Sequence, residues 1–175
     1  MKSINMENVK EAGSTTRLPA GAYICVILEV QDFGDKEYLK VTYDIAEGEY
    51  AEHFNGIRAE HPDWAWVGAY VKSYKPKALP MFKRFCTAVT KSNPGYVFDG
   101  QINTDEKTLA GKKIGLVLAE EEYYGNDGEK RTRLYVAREF PVDEIASQKV
   151  PAIKLLKEEP ATAFEPVQNI ELPFA

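Results

Sequence analysis

Basic and aromatic side chains are interleaved through the middle of the chain, from residue 64 to residue 98. This window contains no aspartate or glutamate. Its basic residues are Lys72, Lys75, Lys77, Lys83, Arg84 and Lys91, and its aromatic residues are Trp64, Trp66, Tyr70, Tyr74, Phe82, Phe85, Tyr96 and Phe98. Cations attract phosphates, and flat rings stack on unpaired bases with about 1–3 kcal/mol per base. The window therefore predicts a surface that binds single-stranded nucleic acid.

The aromatic residues of this window have a second interpretation, because rings at helical spacing usually belong to a core. Phe82 and Phe85 fit that interpretation. The two tryptophans, Trp64 and Trp66, and Tyr70 or Tyr74 fit core packing and base stacking equally well. The whole chain carries a net charge of −5, which opposes simple electrostatic binding to DNA. Binding therefore has to depend on where the charges lie.

A second basic group follows a predicted hairpin turn at residues 125–128, whose asparagine and glycine tolerate the positive φ of tight reversals. Its members are Lys130, Arg131 and Arg133. We predict that they contact phosphates, and that Tyr38 and Lys40 join them from the outward face of an earlier strand. The remaining members of the predicted interface are Trp64, Trp66, Lys72, Tyr74, Lys75 and Lys77.

Residues that catalysis or metal binding would need are sparse. His53 and His61 are the two histidines, and Cys25 and Cys86 are the two cysteines, distant from both. Zinc sites use three or four closely spaced ligands, so we expect no metal and no cofactor. The sequence also lacks a glycine-rich phosphate loop and a nucleophile motif, so it predicts no enzyme. Each cysteine lies in an apolar stretch and is predicted to be buried.

Strand patterns flank the central window. Before it, β-branched and aromatic residues predict strands over 22–30 and 38–45, the second with a clean period of two. A third, more polar strand is predicted over 49–57. After the window, strands over 112–124 and 131–140 flank the hairpin turn.

Helical spacing appears inside the window. A short first helix is predicted from Pro62 to Tyr74, and a better supported second helix begins near Leu79, where Pro80 suits the first turn. Asn93 and the residues after it end that helix. The result is a mainly β fold of five strands with one or two helices between strands three and four. This order is that of an OB-like barrel.

Composition divides the chain into three segments. Residues 1–16 are polar without a period and predict a flexible arm, and residues 17–150 predict the OB-like domain. Residues 151–175 hold four glutamates and two lysines, a net charge of −2, and several prolines. Such a composition is typical of a disordered tail.

The chain resembles the phage family of small single-stranded-DNA-binding proteins over residues 17–140. The resemblance rests on Leu18-Pro19-Ala20-Gly21-Ala22-Tyr23, on residues 38–43, on residues 77–85, on residues 109–115 and on residues 121–123. It implies an OB-fold barrel that coats and protects single strands during phage replication or recombination.

The tail carries a separate resemblance. Residues 169–174 are similar to the acidic, Pro-Phe-containing tip by which bacterial single-stranded-DNA-binding proteins recruit partners. This resemblance implies recruitment of replication or recombination proteins through Glu171, Leu172, Pro173 and Phe174. A negative tail can also compete with DNA for a basic groove.

A different class of function stays open. A small acidic phage protein can inhibit or recruit a host factor through its aromatic window or its tail, without binding DNA. No stretch approaches eighteen consecutive apolar residues and residues 1–16 do not fit a secretory signal, so we expect a cytoplasmic protein without a membrane span. The sequence leaves open whether several copies assemble.

Overall fold

A five-stranded antiparallel sheet organises residues 17–101 and 104–157, which the computed structural model describes. The strands are β1 (Gly21–Phe33), β2 (Tyr38–Ile45), β3 (Ala69–Ser73), β4 (Lys113–Tyr124) and β5 (Lys130–Phe140), and the helices are α1 (His53–Glu60) and α2 (Leu79–Ser92). The order of the strands across the sheet is β3-β2-β1-β4-β5. The predicted mainly β class is confirmed.

β1 lies at the centre of the sheet because its two halves pair with different strands. Residues 21–26 pair with β4, and residues 25–33 pair with β2. The register with β2 shifts at Leu28, which forms a β-bulge. A bulge bends its strand and increases the local twist, so it helps the sheet to curve.

The predicted alternation in β2 is confirmed. Its bounds are those predicted, with Leu39, Val41 and Tyr43 buried and Lys40 exposed. β4 and β5 begin within one residue of their predicted starts, and Gly128 in the turn between them has a φ of +78°. These elements follow local rules, because period-two burial and turn chemistry need no distant partner.

The predicted second helix is confirmed as α2. Its buried face includes Phe82, Phe85, Cys86 and Val89, and Pro80 lies in its first turn. Asn93 ends the helix, since its side-chain amide donates to the carbonyls of Val89 and Lys113, each at 2.8 Å. The second of these bonds fixes the start of β4 against the end of α2.

The predicted third strand over residues 49–57 is wrong, because helix α1 occupies residues 53–60. The carboxylate of Asp44 accepts the backbone N–H groups of Phe54 and Asn55, each at 2.9 Å. A carboxylate at the first turn of a helix satisfies N–H groups that have no partner within the helix. Asp44 therefore selects a helix here, across ten positions of sequence.

The predicted first helix over residues 62–74 is also wrong. Residues 61–68 form a loop, and β3 then pairs with β2 from Thr42↔Ala69 to Tyr38↔Ser73. Tyr70 and Lys72 lie in register with the buried residues of β2, while Val71 is exposed. The sheet thus has the predicted number of strands, with its third strand later in the chain than expected.

β3 and β5 are the edge strands of the sheet, and the antiparallel pairings make them run in the same direction. No backbone hydrogen bond joins them among the described residues, so the sheet is not closed into a barrel. Lys72 and Glu139 bridge the two strands instead, with 2.5 Å between Nζ and Oε1 and side chains 8% and 4% exposed. We call the space between β3 and β5 the seam.

The predicted arm and most of the predicted tail, including Glu171, Leu172, Pro173 and Phe174, lie outside the described residues. Residues 151–157, the predicted start of the tail, lie along β4. Lys154 pairs with Glu121, and the backbone N–H of Leu156 donates to a carboxylate oxygen of Glu122 at 3.0 Å. Within the described ranges, neither helix is long and apolar enough to cross a membrane.

Candidate nucleic-acid interface

The connection from β3 into α2 presents cations to solvent. Lys75 and Lys77 are exposed in the connection, and Lys83 and Arg84 are exposed on α2. Of the ion pairs among the described residues, none involves any member of this group. We name these residues the basic segment. Since no ion pair among the described residues offsets them, the charges of Lys75 and Lys77 remain available to phosphates, whereas Lys83 shares a groove with three carboxylates.

The N-terminus of α2 adds positive potential to the basic segment. Its first turn contains no acidic residue and its N-cap makes no side-chain hydrogen bond. The first turn of a helix carries partial positive charge, which favours nearby anions by about 0.3–1 kcal/mol. Leu79 and Met81 are exposed in the same turn, at 49% and 42%. Cations and exposed apolar side chains therefore lie together, although neither of these two apolar residues is an aromatic ring that can stack on a base.

The two tryptophans lie in the same loop but in different environments. Trp64 is 55% exposed, and its ring stacks on that of His61 with 4.0 Å between centroids. Trp66 is half-buried, and its indole N–H donates to the carbonyls of Tyr43 at 3.2 Å and Gly68 at 3.1 Å. The ring of Trp64 is therefore accessible from solvent, whereas that of Trp66 packs the loop on the core.

Two residues of the predicted interface make internal contacts. Lys72 is buried in its pair with Glu139, so its ammonium is not at the surface and we remove it from the predicted phosphate contacts. Tyr74 is half-buried, and its hydroxyl donates to Asp32 at 2.8 Å. Desolvation and this hydrogen bond raise the pKa of Tyr74 to about 12. Tyr74 thus stays neutral and anchors β3 to the end of β1.

The predicted hairpin cations lie beside carboxylates. The pairs are Lys130–Glu122 at 2.9 Å, Arg133–Glu121 at 2.8 Å and Arg131–Asp127. The hydrogen bond from Lys130, followed by that from the backbone of Leu156, lowers the pKa of Glu122 and keeps it ionised. Because its positive charges are offset locally, the hairpin is a weaker attractor of phosphate than the basic segment.

Tyr38 and Lys40 lie on the outward face of β2. The ring of Tyr38 stacks on Phe33 with 4.8 Å between centroids and 21° between planes. Lys40 is exposed and lies opposite Val71 of β3 in the register of the sheet. This face therefore continues across β3 toward the basic segment.

A groove of about 830 Å³ runs beside α2, on the side that faces residues 97–101 and 104–106. Its apolar lining includes Leu39, Leu79, Phe82, Val97 and Phe98, and its charged lining consists of Asp32, Lys83, Lys91, Asp99 and Glu106. The carboxylates outnumber the cations here. The groove consequently suits an apolar side chain of a partner better than a phosphate backbone.

The described residues contain no group of three or more histidine, cysteine or acidic residues that could hold a metal. His61 stacks on Trp64, and the ring of His53 packs edge-on against Phe54. Both cysteines are free and buried, as predicted. Burial raises the pKa of Cys25 far above its usual value and raises that of Cys86 to about 11, so neither is a thiolate at neutral pH.

Sequence reasoning missed three buried polar groups. Asp44 caps α1, Glu139 pairs with Lys72, and the hydroxyl of Tyr70 is buried without a partner among the described residues. The alternation in β2 placed Asp44 on the outward face, and nothing in the local sequence of Glu139 distinguishes it from a surface acid. Tyr70 was equally suited to packing and to stacking. Each position depends on a distant part of the chain.

In comparisons with known proteins, no family model matches this chain and no curated protein matches it in sequence. The resemblance to the phage single-stranded-DNA-binding family therefore stays a prediction.

Proposed function

We propose that this chain is a phage-type single-stranded DNA-binding protein that coats and protects single strands during replication or recombination in the host cytoplasm. The basic segment is the observation that carries the proposal, because Lys75, Lys77, Lys83 and Arg84 are exposed without ion-pair partners among the described residues. A chain with a net charge of −5 that leaves such a group unpaired has a local site for anions.

The arrangement of strands supports an OB-like barrel as part of the proposal. An OB-fold is a five-stranded, partly open barrel, and its strand-two and strand-three face binds oligonucleotides. Here β1 pairs with both β2 and β4, and α2 follows β3 and precedes β4 along the chain. Contact between the edge strands β3 and β5 would close the sheet into a barrel. The Lys72–Glu139 ion pair is such a contact, made by side chains.

The first test is fluorescence anisotropy of a labelled oligo-dT at low and moderate salt, with duplex DNA as competitor. We expect binding that weakens as salt rises, by about 0.7 log units in affinity per log unit of salt for each phosphate contacted. Duplex DNA should not displace the strand. Absence of binding at low salt contradicts the proposal.

Charge reversal in the basic segment should weaken this binding. For Lys75→Glu with Lys77→Glu we expect a lower affinity and a salt slope shallower by about 1.4, the loss of two phosphate contacts. Lys149→Glu with Lys157→Glu is the matched control, since it changes the net charge equally at exposed lysines of the segment after β5. Equal losses in the two variants would mean that only total charge matters.

Trp64 should contribute to binding and little to stability. For Trp64→Ala we expect the affinity for oligo-dT to fall by about 1–3 kcal/mol, the value of one stacked base. Urea unfolding should change little, because the ring is 55% exposed. Trp66→Ala should instead lower stability, since it removes two partly buried hydrogen bonds and the packing of the ring. Intact binding in a folded Trp64→Ala variant would remove this residue from the interface.

The groove beside α2 favours a second candidate function, a protein-interaction module that inhibits or recruits a host factor. Its apolar lining and mixed charges suit a peptide side chain. Binding of a protein partner there should change little with salt, in contrast to binding of a strand by cations.

Recruitment of replication or recombination proteins through Glu171, Leu172, Pro173 and Phe174 is part of the main proposal. Deletion of residues 169–175 tests it separately from DNA binding.

A further inference from the structure

The turn that follows α1 holds an exposed aromatic ring in a defined position. The backbone N–H of His61 donates to the carbonyl of Ile57 at 2.9 Å, at the end of the helix. The backbone N–H of Trp64 then donates to the carbonyl of His61 at 3.0 Å and closes a β-turn. The turn brings the two side chains together, so that the imidazole stacks on the indole with 4.0 Å between centroids and 10° between planes.

This stack covers one face of the indole and leaves the other open. Among the ring contacts of the described residues, Trp64 makes only the one with His61. Trp64 is 55% exposed although an imidazole covers one face, so its exposed surface includes the opposite face. A flat ring that is open on one side is a surface on which an unpaired base can stack.

Contacts on both sides of Trp64 fix the loop that carries it. The guanidinium of Arg58 donates to the carbonyl oxygen of Trp64. The indole N–H of Trp66 donates to the carbonyls of Tyr43 and Gly68, which ties the loop to β2 and to the residue before β3. A ring that is ordered before binding loses less conformational entropy when a base stacks on it. The loop is therefore preorganised as a platform for a base.

We propose that Trp64 stacks one base of the bound strand on its open face, and that His61 is a positioning residue that covers the other face and holds the indole in place. This inference rests on the proposed function. A base cannot enter between the two rings, because centroids 4.0 Å apart leave no space for a third ring. The exposed carboxylates of Glu60 and Asp63 are next to His61 and Trp64 in the chain and oppose an anion, so we assign the platform a base and no phosphate.

His61→Ala tests this role, because it removes the imidazole and leaves Trp64 in the chain. Affinity is measured with oligo-dT and with an abasic strand of equal length, which has the same phosphates and no bases. We expect His61→Ala to bind oligo-dT about threefold to tenfold more weakly, since the freed indole has to be ordered on binding. The abasic strand should bind the variant and the original protein equally. His61→Phe, which restores a ring behind the indole, should recover the affinity for oligo-dT.

Two further measurements separate positioning from a general effect on the fold. In a Trp64→Ala background, His61→Ala should cause no further loss of affinity, because the ring that it positions is gone. Acrylamide should quench the tryptophan fluorescence of free His61→Ala more strongly than that of the free original protein, because both faces of the indole become accessible. Equal quenching would mean that the imidazole does not cover the indole, and would overturn the inference.

The remaining outcomes separate the inference from the function on which it rests. If the original protein does not bind oligo-dT, the proposed function fails and the inference with it. If the original protein binds and His61→Ala binds equally well, or loses as much affinity for the abasic strand, the inference alone is overturned. A loss that His61→Phe shares in full, or that persists in the Trp64→Ala background, also overturns it, because neither loss would depend on a ring that supports Trp64.

Discussion

Glu139→Ala is expected to lower the free energy of unfolding by about 3–5 kcal/mol, the usual cost of leaving one partner of a buried ion pair alone. Glu139 and Lys72 are both almost fully buried, at 3% and 6% of the residue surface. Without the carboxylate, the ammonium of Lys72 loses its partner in the seam, where little water reaches it. Urea unfolding, followed by tryptophan fluorescence, measures the change.

The Lys113–Glu47 pair provides a matched control for this prediction. Its atoms are also 2.5 Å apart, but its side chains are 48% and 49% exposed. Glu47→Ala should therefore cost less than about 1 kcal/mol. The double variant Lys72→Met with Glu139→Leu should recover most of the loss, because apolar residues of similar size need no partner. If Glu139→Ala and Glu47→Ala lower the free energy of unfolding equally, burial of the Lys72–Glu139 pair does not add to its effect on stability.

The correctly predicted elements are those whose signals are local. The bounds of β2 follow from strict alternation between Leu39 and Ile45, and the apolar face of α2 follows from helical spacing. The hairpin follows from its turn residues, including Gly128 at positive φ. Each of these patterns is complete within a dozen residues, so no distant contact was needed to recognise it.

The wrongly predicted elements depend on contacts between distant residues. The helical spacing of Trp64, Val67 and Val71 is coincidental, since the segment divides into a loop and the strand β3. β3 forms there because it pairs with the edge of β2. Lys72 turns inward because it pairs with Glu139, which lies 67 positions later in the chain. A single sequence does not show which acid a lysine will meet.

The candidate interface was only partly predictable, because its composition is a local signal and its ion pairs depend on distant residues. The absence of acidic residues between 64 and 98 indicates the region of the basic segment, but the predicted interface included Lys75 and Lys77 and left out Lys83 and Arg84. Whether a cation is free is a different question, because it depends on which carboxylates pack nearby. Arg131 and Arg133 look like Lys75 and Lys77 in the sequence, yet the two arginines form ion pairs and the two lysines form none among the described residues.

Asp44→Ala is expected to lower the free energy of unfolding by about 3 kcal/mol, because a buried charged acceptor of several hydrogen bonds is lost. Asp44 is 3% exposed, and its Oδ1 accepts the N–H groups of Ile45 at 2.8 Å and Phe54 at 2.9 Å. Its Oδ2 accepts that of Asn55. The variant leaves these N–H groups without their acceptor and removes the reason for α1 to begin where it does. Urea unfolding measures the total effect.

Hydrogen exchange locates this effect within the chain. In Asp44→Asn, which keeps the shape but not the charge, the amides of Phe54 and Asn55 should exchange faster while those of α2 remain protected. Asp105→Ala is the matched control, because Asp105 also accepts a backbone N–H, that of Lys107 at 2.9 Å, but is exposed. Asp105→Ala should lower the free energy of unfolding by only about 0.5–1 kcal/mol. If Asp44→Ala costs no more than this, α1 is held by its packing through Phe54 and not by the carboxylate.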